Sequence, residues 1–254
     1  MEIFKHYISL GYFCSIAQEL ERFGLRDASY PFDWIISDIE GVFQCIDNKF
    51  DGLLDINVLT QSDKHRMYYK NTKYDFYFFH DFDKYMSLLS QIDQVKKKYE
   101  RRIERFYRNI QEPTLFLRYI SDEKKMQSGK PTELHWIENN FEKIQSTIKR
   151  YNQNNKIMFI ANEGVKSDII KIYCVIPDPN DTVARKPFTK NKLLYDYFSN
   201  IDNEQKSNNL KHYKAKMHKR NTLFQKFKVK MKNIYNKIFS QEYIHTQIYN
   251  ENCQ

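Results

Sequence analysis

Residues 7–20 of the chain are YISLGYFCSIAQEL, in which an apolar run ends at Gly11 and a helical pattern begins three residues later, at Cys14. Residues 3–10 predict a buried strand, and the residues that follow Phe13 predict a helix that ends at Gly24. The N-terminus of a helix carries roughly half a positive charge, which favours a thiolate over a thiol. Cys14 is therefore a candidate reactive thiol. The alternative is a small buried side chain on a core-facing helix.

The rest of the hydrophobic pattern alternates between strands and helices. The expected elements are a helix near 38–48, an aromatic hairpin at 65–80, a helix at 84–110, a strand at 114–120, a helix at 132–151, and strands at 156–161 and 169–176. The unit 114–161 requires a right-handed parallel crossover. Only seven residues link the last two strands, which predicts an antiparallel pair. We therefore predict a layered α/β domain with a mixed sheet and flanking helices over residues 1–200.

Composition limits the classes of protein to consider. Hydrophobic residues make up 41% of the 254 residues, so a core can form, and the 19 Tyr and 19 Phe suggest an aromatic core or cleft. Gly and Pro number only six each, which argues against disorder and repeats. The sequence has no Gly-rich phosphate loop, so no nucleotide cofactor is expected.

The four cysteines lack the spacing of a disulfide framework or a zinc site. Their scatter through a chain of this size predicts a reduced, cytoplasmic compartment and no bound metal. The first residues lack the basic start and the apolar run of a signal peptide. No stretch of about 20 apolar residues predicts a membrane span.

Positive charge is concentrated near the C-terminus. The net charge is +9, and residues 205–241 hold eleven Lys or Arg and no Asp or Glu. We predict that residues 201–254 form a basic amphipathic helical tail. Its expected apolar face consists of Leu223, Phe227, Met231, Ile234 and Ile238. Such a helix is typical of contact with an anionic membrane surface, here the inner face of the cell membrane. The alternative is a solvated helix that packs back on the domain, and no specific nucleic-acid partner is expected.

A cysteine nucleophile requires a base, and usually a third group that orients the base. His80, at the end of the aromatic segment, is the best candidate base; the alternative is a histidine packed among Phe side chains. Asp33 is the candidate third group, or else a helix N-cap. Asp81 is a weaker candidate, because adjacent side chains on a strand point to opposite faces. The backbone N–H of Cys14 or Ser15 would hold the oxyanion.

Three further residues are candidates for substrate binding, as Ser15 is. Gly11 ends the first strand close to Cys14, and Trp34 belongs to a loop that could line a cleft. Arg118 ends a buried strand, where it could meet a ligand anion or carboxylate, although a structural ion pair is the commoner explanation for such an arginine.

Three motifs resemble a bacterial family of unknown function that is labelled "putative papain-like cysteine peptidase". They are YISLGYFCSIAQELERFGLRDASYPFDWI, FFHDF and YERRIERFYRNI, and the resemblance covers roughly residues 5–120. It implies that Cys14 and His80 are the catalytic pair, and it makes a papain-like α+β fold the alternative architecture. Members of the family look like companions of surface-polysaccharide biosynthesis enzymes, which also admits acyl or glycosyl transfer.

Three functions are compatible with these residues. The first is a thiol-dependent hydrolase or acyltransferase that acts on a peptide, amide or glycan-linked substrate through Cys14 and His80. The second is a glycan-modifying or glycosyl-transfer enzyme in which Cys14 is structural and Arg118, Asp33 and His80 line a sugar-phosphate cleft. The third is a non-catalytic, membrane-associated adaptor. A Cys14 sulfur within about 4 Å of a His80 ring nitrogen would favour the first.

Overall fold

The computed structural model describes residues 4–62, 69–83 and 85–201, together with residues 206, 208–211, 213–215, 217–219 and 222 of the C-terminal segment. In chain order the elements are β1 (His6–Ser9), α1 (Ser15–Arg22), β2 (Ile35–Ile36), α2 (Ile39–Asp47), a 3₁₀ helix (Ile56–Val58), β3 (Leu59–Gln61), β4 (Tyr69–Asn71), β5 (Phe76–Phe78), α3 (Leu88–Asn109), β6 (Thr114–Tyr119), α4 (Thr132–Asn139), α5 (Phe141–Lys149), β7 (Lys156–Asn162), β8 (Ile172–Val175), α6 (Pro187–Lys190) and α7 (Lys192–Ser199).

Four strands form a parallel sheet in the order β1-β6-β7-β8. Every residue of β6 is buried, because this strand has a neighbour on each side and side chains packed on both of its faces. A strand in this position carries a nearly continuous apolar run, here TLFLRY. The predicted parallel crossover between β6 and β7 is confirmed, and α4 and α5 form it.

The antiparallel pairing expected for the last two strands is wrong, because β8 runs parallel to β7. Ile172 pairs with Phe159 and Val175 pairs with Asn162, so β8 begins only three residues back from the end of β7. That return is about 10 Å, which the nine residues 163–171 can easily span. A short connection excludes a parallel pair only when the chain must retrace a long strand.

The antiparallel strands form a separate sheet in the order β2-β5-β4-β3. The aromatic segment predicted as a hairpin supplies β4 and β5, and Asp75 in the turn between them has a positive φ of 57°. The layered α/β class with flanking helices is confirmed, with its parallel and antiparallel strands divided between two sheets. Because β5 ends at Phe78, His80 lies just beyond the strand.

The parallel sheet separates two hydrophobic clusters. Ile8 and Phe116 belong to a large cluster that also contains side chains of α2 to α5 and of the antiparallel sheet. Tyr7, Leu115 and Leu117 belong to the other cluster, with side chains of α1, α6 and α7. This division follows the alternation of side chains along a strand. Both faces of the sheet are covered, and in parallel sheets ligands bind in the crevice beyond the carboxyl ends of the strands.

Contacts within the chain separate two units, Met1–Asn209 and Leu210–Gln254. The domain boundary expected after residue 200 stays a prediction. The described residues between 206 and 222 are helical, but the expected apolar face from Leu223 to Ile238 lies outside the described residues. Within the described part of the chain, no helix combines the length and the apolar composition needed to cross a bilayer.

Candidate active site

The chain leaves β1 through a turn that requires glycine. Gly11 has a φ of +82°, and a Cβ at this position would lie 2.5 Å from Ser37 Oγ and 3.2 Å from Arg118 Nη1. The backbone N–H of Ser37 donates to the carbonyl of Tyr12 at 3.0 Å. Gly11 thus allows the segment after β1 to run against the segment after β2. Its expected part in substrate binding stays a prediction.

Arg118 is a fully buried cation at the centre of this junction. Its Nε donates to Glu133 at 2.6 Å, its Nη1 to the carbonyl of Leu10 at 2.8 Å and to Ser37 Oγ at 3.1 Å, and its Nη2 to the carbonyl of Ser37 at 2.5 Å. All three guanidinium nitrogens therefore bind protein atoms. This geometry matches the structural ion pair weighed above and leaves the sugar-phosphate role expected for Arg118 without support.

Cys14 immediately precedes α1, and its side chain is half-buried. Its Sγ accepts a hydrogen bond from Gln18 Nε2 at 3.5 Å, one turn along the helix. Burial raises the pKa of the Cys14 thiol, and its own backbone N–H and the charge of Arg185 oppose the rise only in part. The thiol is therefore the resting form near neutral pH, whereas the position at a helix start suggested a thiolate. Desolvation outweighs the helix terminus here.

Ser15, the first residue of α1, is buried, and its Oγ has no hydrogen-bond partner among the described residues. An unsatisfied buried hydroxyl costs about 1–3 kcal/mol. Such groups are uncommon in folded proteins and require an explanation, for example a catalytic role. The hydroxyl lies next to Cys14 in the chain, at the start of α1.

Asp33 is a fully buried carboxylate whose partner is an arginine. Its Oδ2 accepts from Arg26 Nη2 at 2.6 Å and from the backbone N–H of Tyr30 at 2.9 Å. Burial raises the pKa of Asp33, and Arg26 opposes the rise. The Arg26 guanidinium also lies 5.3 Å from the centre of the Trp34 ring, within the range of a cation–π contact. Sequence reasoning did not identify Arg26 as this partner.

His80 is exposed and packs edge-on against Trp34, with the ring centres 5.8 Å apart. The neighbouring Asp81 does not bind it. The Asp81 carboxylate accepts from the Tyr99 hydroxyl at 2.8 Å and pairs with Lys98 Nζ at 2.6 Å. Asp81 therefore ties the segment after β5 to α3. Because its carboxylate already binds Tyr99 and Lys98, it is not placed to orient the His80 ring.

The predicted site residues divide into two groups. The first group lies at the N-terminal end of α1 and consists of Gly11, Cys14 and Ser15. The second group lies near Arg26, which follows the C-terminal end of α1: the Trp34 ring contacts both Arg26 and the His80 ring. An eight-residue helix is about 12 Å long. Among the described residues, Gln18 is the hydrogen-bond partner of Cys14 Sγ, and no hydrogen bond joins the sulfur to His80. The catalytic pair stays a prediction.

A cleft of about 350 Å³ opens at the carboxyl ends of β1 and β6, which sequence reasoning did not locate. Its walls come from the segments that follow these strands, from β2 and β5, from the starts of α2 and α4, and from residues 182–183 between β8 and α6. Aromatic side chains that line it are Tyr12, Phe13, Tyr77 and Trp136. Phe13 lines the cleft directly before Cys14. The predicted parallel strands could have indicated this place, because ligands of parallel sheets bind beyond the carboxyl ends of the strands.

The polar side chains of the cleft are mostly acidic. The carboxylates that line it are Asp38, Glu40, Asp75, Glu123 and Glu133, and Lys124 is the basic side chain among the lining residues. Lys124 Nζ lies 3.1 Å from Asp38 and 3.6 Å from Asp75. Burial and the neighbouring Glu123 carboxylate raise the pKa of the Tyr12 hydroxyl. Across the described residues, no group of three His, Cys, Asp or Glu side chains could hold a metal ion.

The family comparison bears on this site because its match contains both the turn after β1 and the segment after β5. Residues 5–164 match the model of the family described as "Putative papain-like cysteine peptidase (DUF1796)". The chain belongs to this family. The parallel sheet, the antiparallel sheet and the flanking helices of this family member are consistent with the papain-like α+β architecture that the description implies.

A curated relative is the "Uncharacterized protein R408" of Acanthamoeba polyphaga mimivirus, which is 38% identical in an alignment 121 residues long; the match covers 40% of this chain and 54% of the relative. The chain thus spans about half the length of the curated relative it matches. No solved structure matches. The bacterial origin and the link to surface polysaccharides expected from the resemblance stay predictions, and the relative is viral.

Proposed function

We propose that the protein is a thiol-dependent hydrolase or acyltransferase whose nucleophile is Cys14. The observation that carries the proposal is the position of this cysteine: half-buried, directly before α1, and next in the chain to Phe13 of the cleft. The family description supports a cysteine peptidase in general terms. A peptide or other amide is the corresponding substrate class.

The other described cysteines are poorer candidates. Cys45 is completely buried in the larger hydrophobic cluster, and desolvation raises the pKa of its thiol well above the ordinary value. Cys174 is half-buried in β8, where its Sγ donates to the carbonyl of Val165 at 3.3 Å. Cys253 lies outside the described residues. Cys14 is the described cysteine whose sulfur accepts a hydrogen bond from an exposed side-chain amide, that of Gln18.

The proposed reaction begins with removal of the Cys14 proton, because burial keeps the sulfur as a thiol. The sulfur then attacks the acyl carbon, and the carbonyl oxygen becomes an oxyanion that the backbone N–H of Cys14 or Ser15 can hold. The Gln18 amide, already a donor at the sulfur, is a further candidate for that role. The leaving group takes the proton and departs, and water or another nucleophile releases the acyl group from the thioester.

His80 is the proposed base and then acid, and this role requires a change of position. The ring is exposed, and no hydrogen bond to another described residue holds it in place. Its approach to the sulfur would break the ring contacts with Trp34 and Phe79. No observation favours the glycan-transfer alternative, because the guanidinium of Arg118 is occupied.

The experiment is alkylation of the native protein by iodoacetamide across pH, with each cysteine quantified by peptide mass spectrometry. We expect the midpoint of Cys14 to lie above that of an ordinary thiol, and we expect Cys14 to alkylate faster than Cys45 and Cys174 once the pH exceeds it. Arg185→Gln should raise the midpoint further, because Arg185 stabilises the thiolate. His80→Ala should slow alkylation at neutral pH if His80 approaches the sulfur.

Para-nitrophenyl acetate provides a second readout, because attack by the sulfur leaves one acetyl group on Cys14 and releases nitrophenolate. Cys14→Ser is the test variant, and Cys174→Ser is the matched control, which should retain the acetylation. The nucleophile assignment is wrong if Cys14 alkylates no faster than Cys45 or Cys174, or if the Cys14→Ser variant is acetylated like the unmodified protein. An unchanged rate in His80→Ala removes His80 as the base and leaves the nucleophile in place.

A further inference from the structure

The cleft at the carboxyl ends of β1 and β6 combines a pocket of ligand size with an excess of negative charge. Its volume of about 350 Å³ lies at the lower end of the range for small-molecule sites. An amino-acid side chain with its flanking amides, or an amine of similar size, fits such a volume. The cleft is therefore large enough to hold one small organic group.

The acidic excess remains after the internal ion pairs are counted. Glu133 is neutralised by Arg118, and Lys124 is shared between Asp38 and Asp75. Within the described residues, Glu40 and Glu123 have no ion pair with a lysine or an arginine. Both side chains are exposed and line the cleft. An anionic ligand would meet uncompensated repulsion here, whereas a cation would meet attraction.

The aromatic walls favour the same sign of charge. Tyr12 and Phe13 pack edge-to-face at 5.6 Å on the side of β1. Trp136 stacks on Phe43 on the side of α4, with the ring centres 6.5 Å apart. Aromatic faces attract ammonium groups through their quadrupole and also bury apolar stems. A cleft lined by both aromatic rings and carboxylates is typical of sites for organic ammonium ions.

We propose that this cleft binds an organic ammonium ion with an apolar stem, of about the size of a lysine side chain, and that Glu123 and Asp38 are its charge partners. The aromatic rings of Tyr12 and Trp136 cover the stem, and Lys124 limits the affinity by occupying Asp38 and Asp75. If the ammonium ion is the substrate, the inference rests on the proposed thiol chemistry, because Phe13 of the cleft adjoins Cys14. The binding of an ammonium ion in the cleft does not depend on that chemistry.

The test is calorimetric titration of the full-length protein with Nα-acetyl-lysine N-methylamide. The neutral control is its Nε-acetylated form, and the anionic control is Nα-acetyl-glutamate N-methylamide. We expect saturable binding of the lysine compound, at least about tenfold weaker binding of both controls, and loss of affinity at high salt. The inference is overturned if the lysine compound does not bind, or if either control binds as tightly.

Two exposed residues of one loop give opposite expected effects. Glu123→Gln should weaken binding of the lysine compound, and Lys124→Met should tighten it, because the first removes a charge partner and the second frees two carboxylates. Glu142→Gln, an exposed carboxylate of α5 outside the cleft, is the matched control and should leave the affinity unchanged. A weaker affinity in Lys124→Met would overturn the inference. Cys14→Ala should retain binding, so failure of the thiol chemistry and failure of the ammonium site give different results.

Discussion

At the scale of the residue, Arg118 shows how one buried charge organises the region around the candidate active site. It joins the end of β1, the segment after β2 and the start of α4 through Leu10, Ser37 and Glu133. Two buried charges that neutralise each other contribute little net stability compared with apolar residues, but loss of one partner leaves the other uncompensated. The pair therefore fixes geometry more than it adds stability.

Arg118→Met should lower the free energy of unfolding by about 3–5 kcal/mol, because Glu133 would remain buried without a partner. The measurement is urea unfolding followed by circular dichroism. The double variant Arg118→Met/Glu133→Leu should recover part of the loss. Arg150→Met, which removes a half-exposed pair with Asp47, should cost less than about 1 kcal/mol. Equal losses for Arg118→Met and Arg150→Met would contradict the role given to the buried pair.

At the scale of the element, the contact between α2 and the β4–β5 turn determines how the antiparallel sheet packs. Gly41 in the first turns of α2 faces the carbonyl of Tyr74, and a Cβ at this position would clash with that oxygen. Val42 and Phe43, its neighbours in the helix, are buried in the larger cluster together with Phe76 of β5. The glycine thus brings the helix backbone directly onto the turn.

Gly41→Ala should destabilise the protein by about 1–3 kcal/mol, because the added methyl group forces α2 and the turn apart. This is opposite to the usual effect in a helix, where replacing Gly by Ala stabilises by up to about 1 kcal/mol. Thermal unfolding monitored by fluorescence provides the measurement. Gln44→Ala, at an exposed position of the same helix, should change stability by less than about 0.5 kcal/mol. A Gly41→Ala variant more stable than the unmodified protein would contradict this prediction, because it would show that the turn moves away from the methyl group without loss of stability.

At the scale of the whole molecule, the charge is divided between a nearly neutral body and a basic C-terminal segment. Residues 205–241 hold eleven of the 41 Lys and Arg residues, and the rest of the chain holds 30, against 32 acidic residues. A polybasic segment gains about 1 kcal/mol per basic residue near an anionic bilayer, an attraction that salt screens. The membrane partner of this segment stays a prediction, as does the cytoplasmic location.

Full-length protein should sediment with vesicles that contain phosphatidylserine and should remain in solution with neutral phosphatidylcholine vesicles. A variant with four lysines of the tail changed to glutamine should lose most of this binding; the positions are Lys226, Lys230, Lys232 and Lys237. The matched control changes four exposed lysines of the body, Lys97, Lys143, Lys166 and Lys192. Equal sedimentation of the two variants, or no sedimentation of the unmodified protein at low salt, would refute the membrane role.

The sequence by itself determined the local elements of this protein. Strand β1, the glycine turn, Cys14 at the start of α1, and the crossover from β6 to β7 are all visible in patterns within a few tens of residues. The periodicity of apolar residues indicates which faces of a helix or strand are buried, and a glycine can indicate a backbone conformation that other residues avoid. These signals are local because they depend on neighbouring residues of the chain.

The tertiary structure alone decided which elements meet and how deeply the polar groups are buried. The parallel direction of β8 depends on where that strand starts relative to β7, and the Arg118–Glu133 pair joins residues that no local pattern connects. The pKa of Cys14 rises because packing removes water from its sulfur, which a helix start in the sequence does not reveal. The cleft at the carboxyl ends of β1 and β6 exists because six separate segments converge there, and its charge is the sum of residues far apart in the chain.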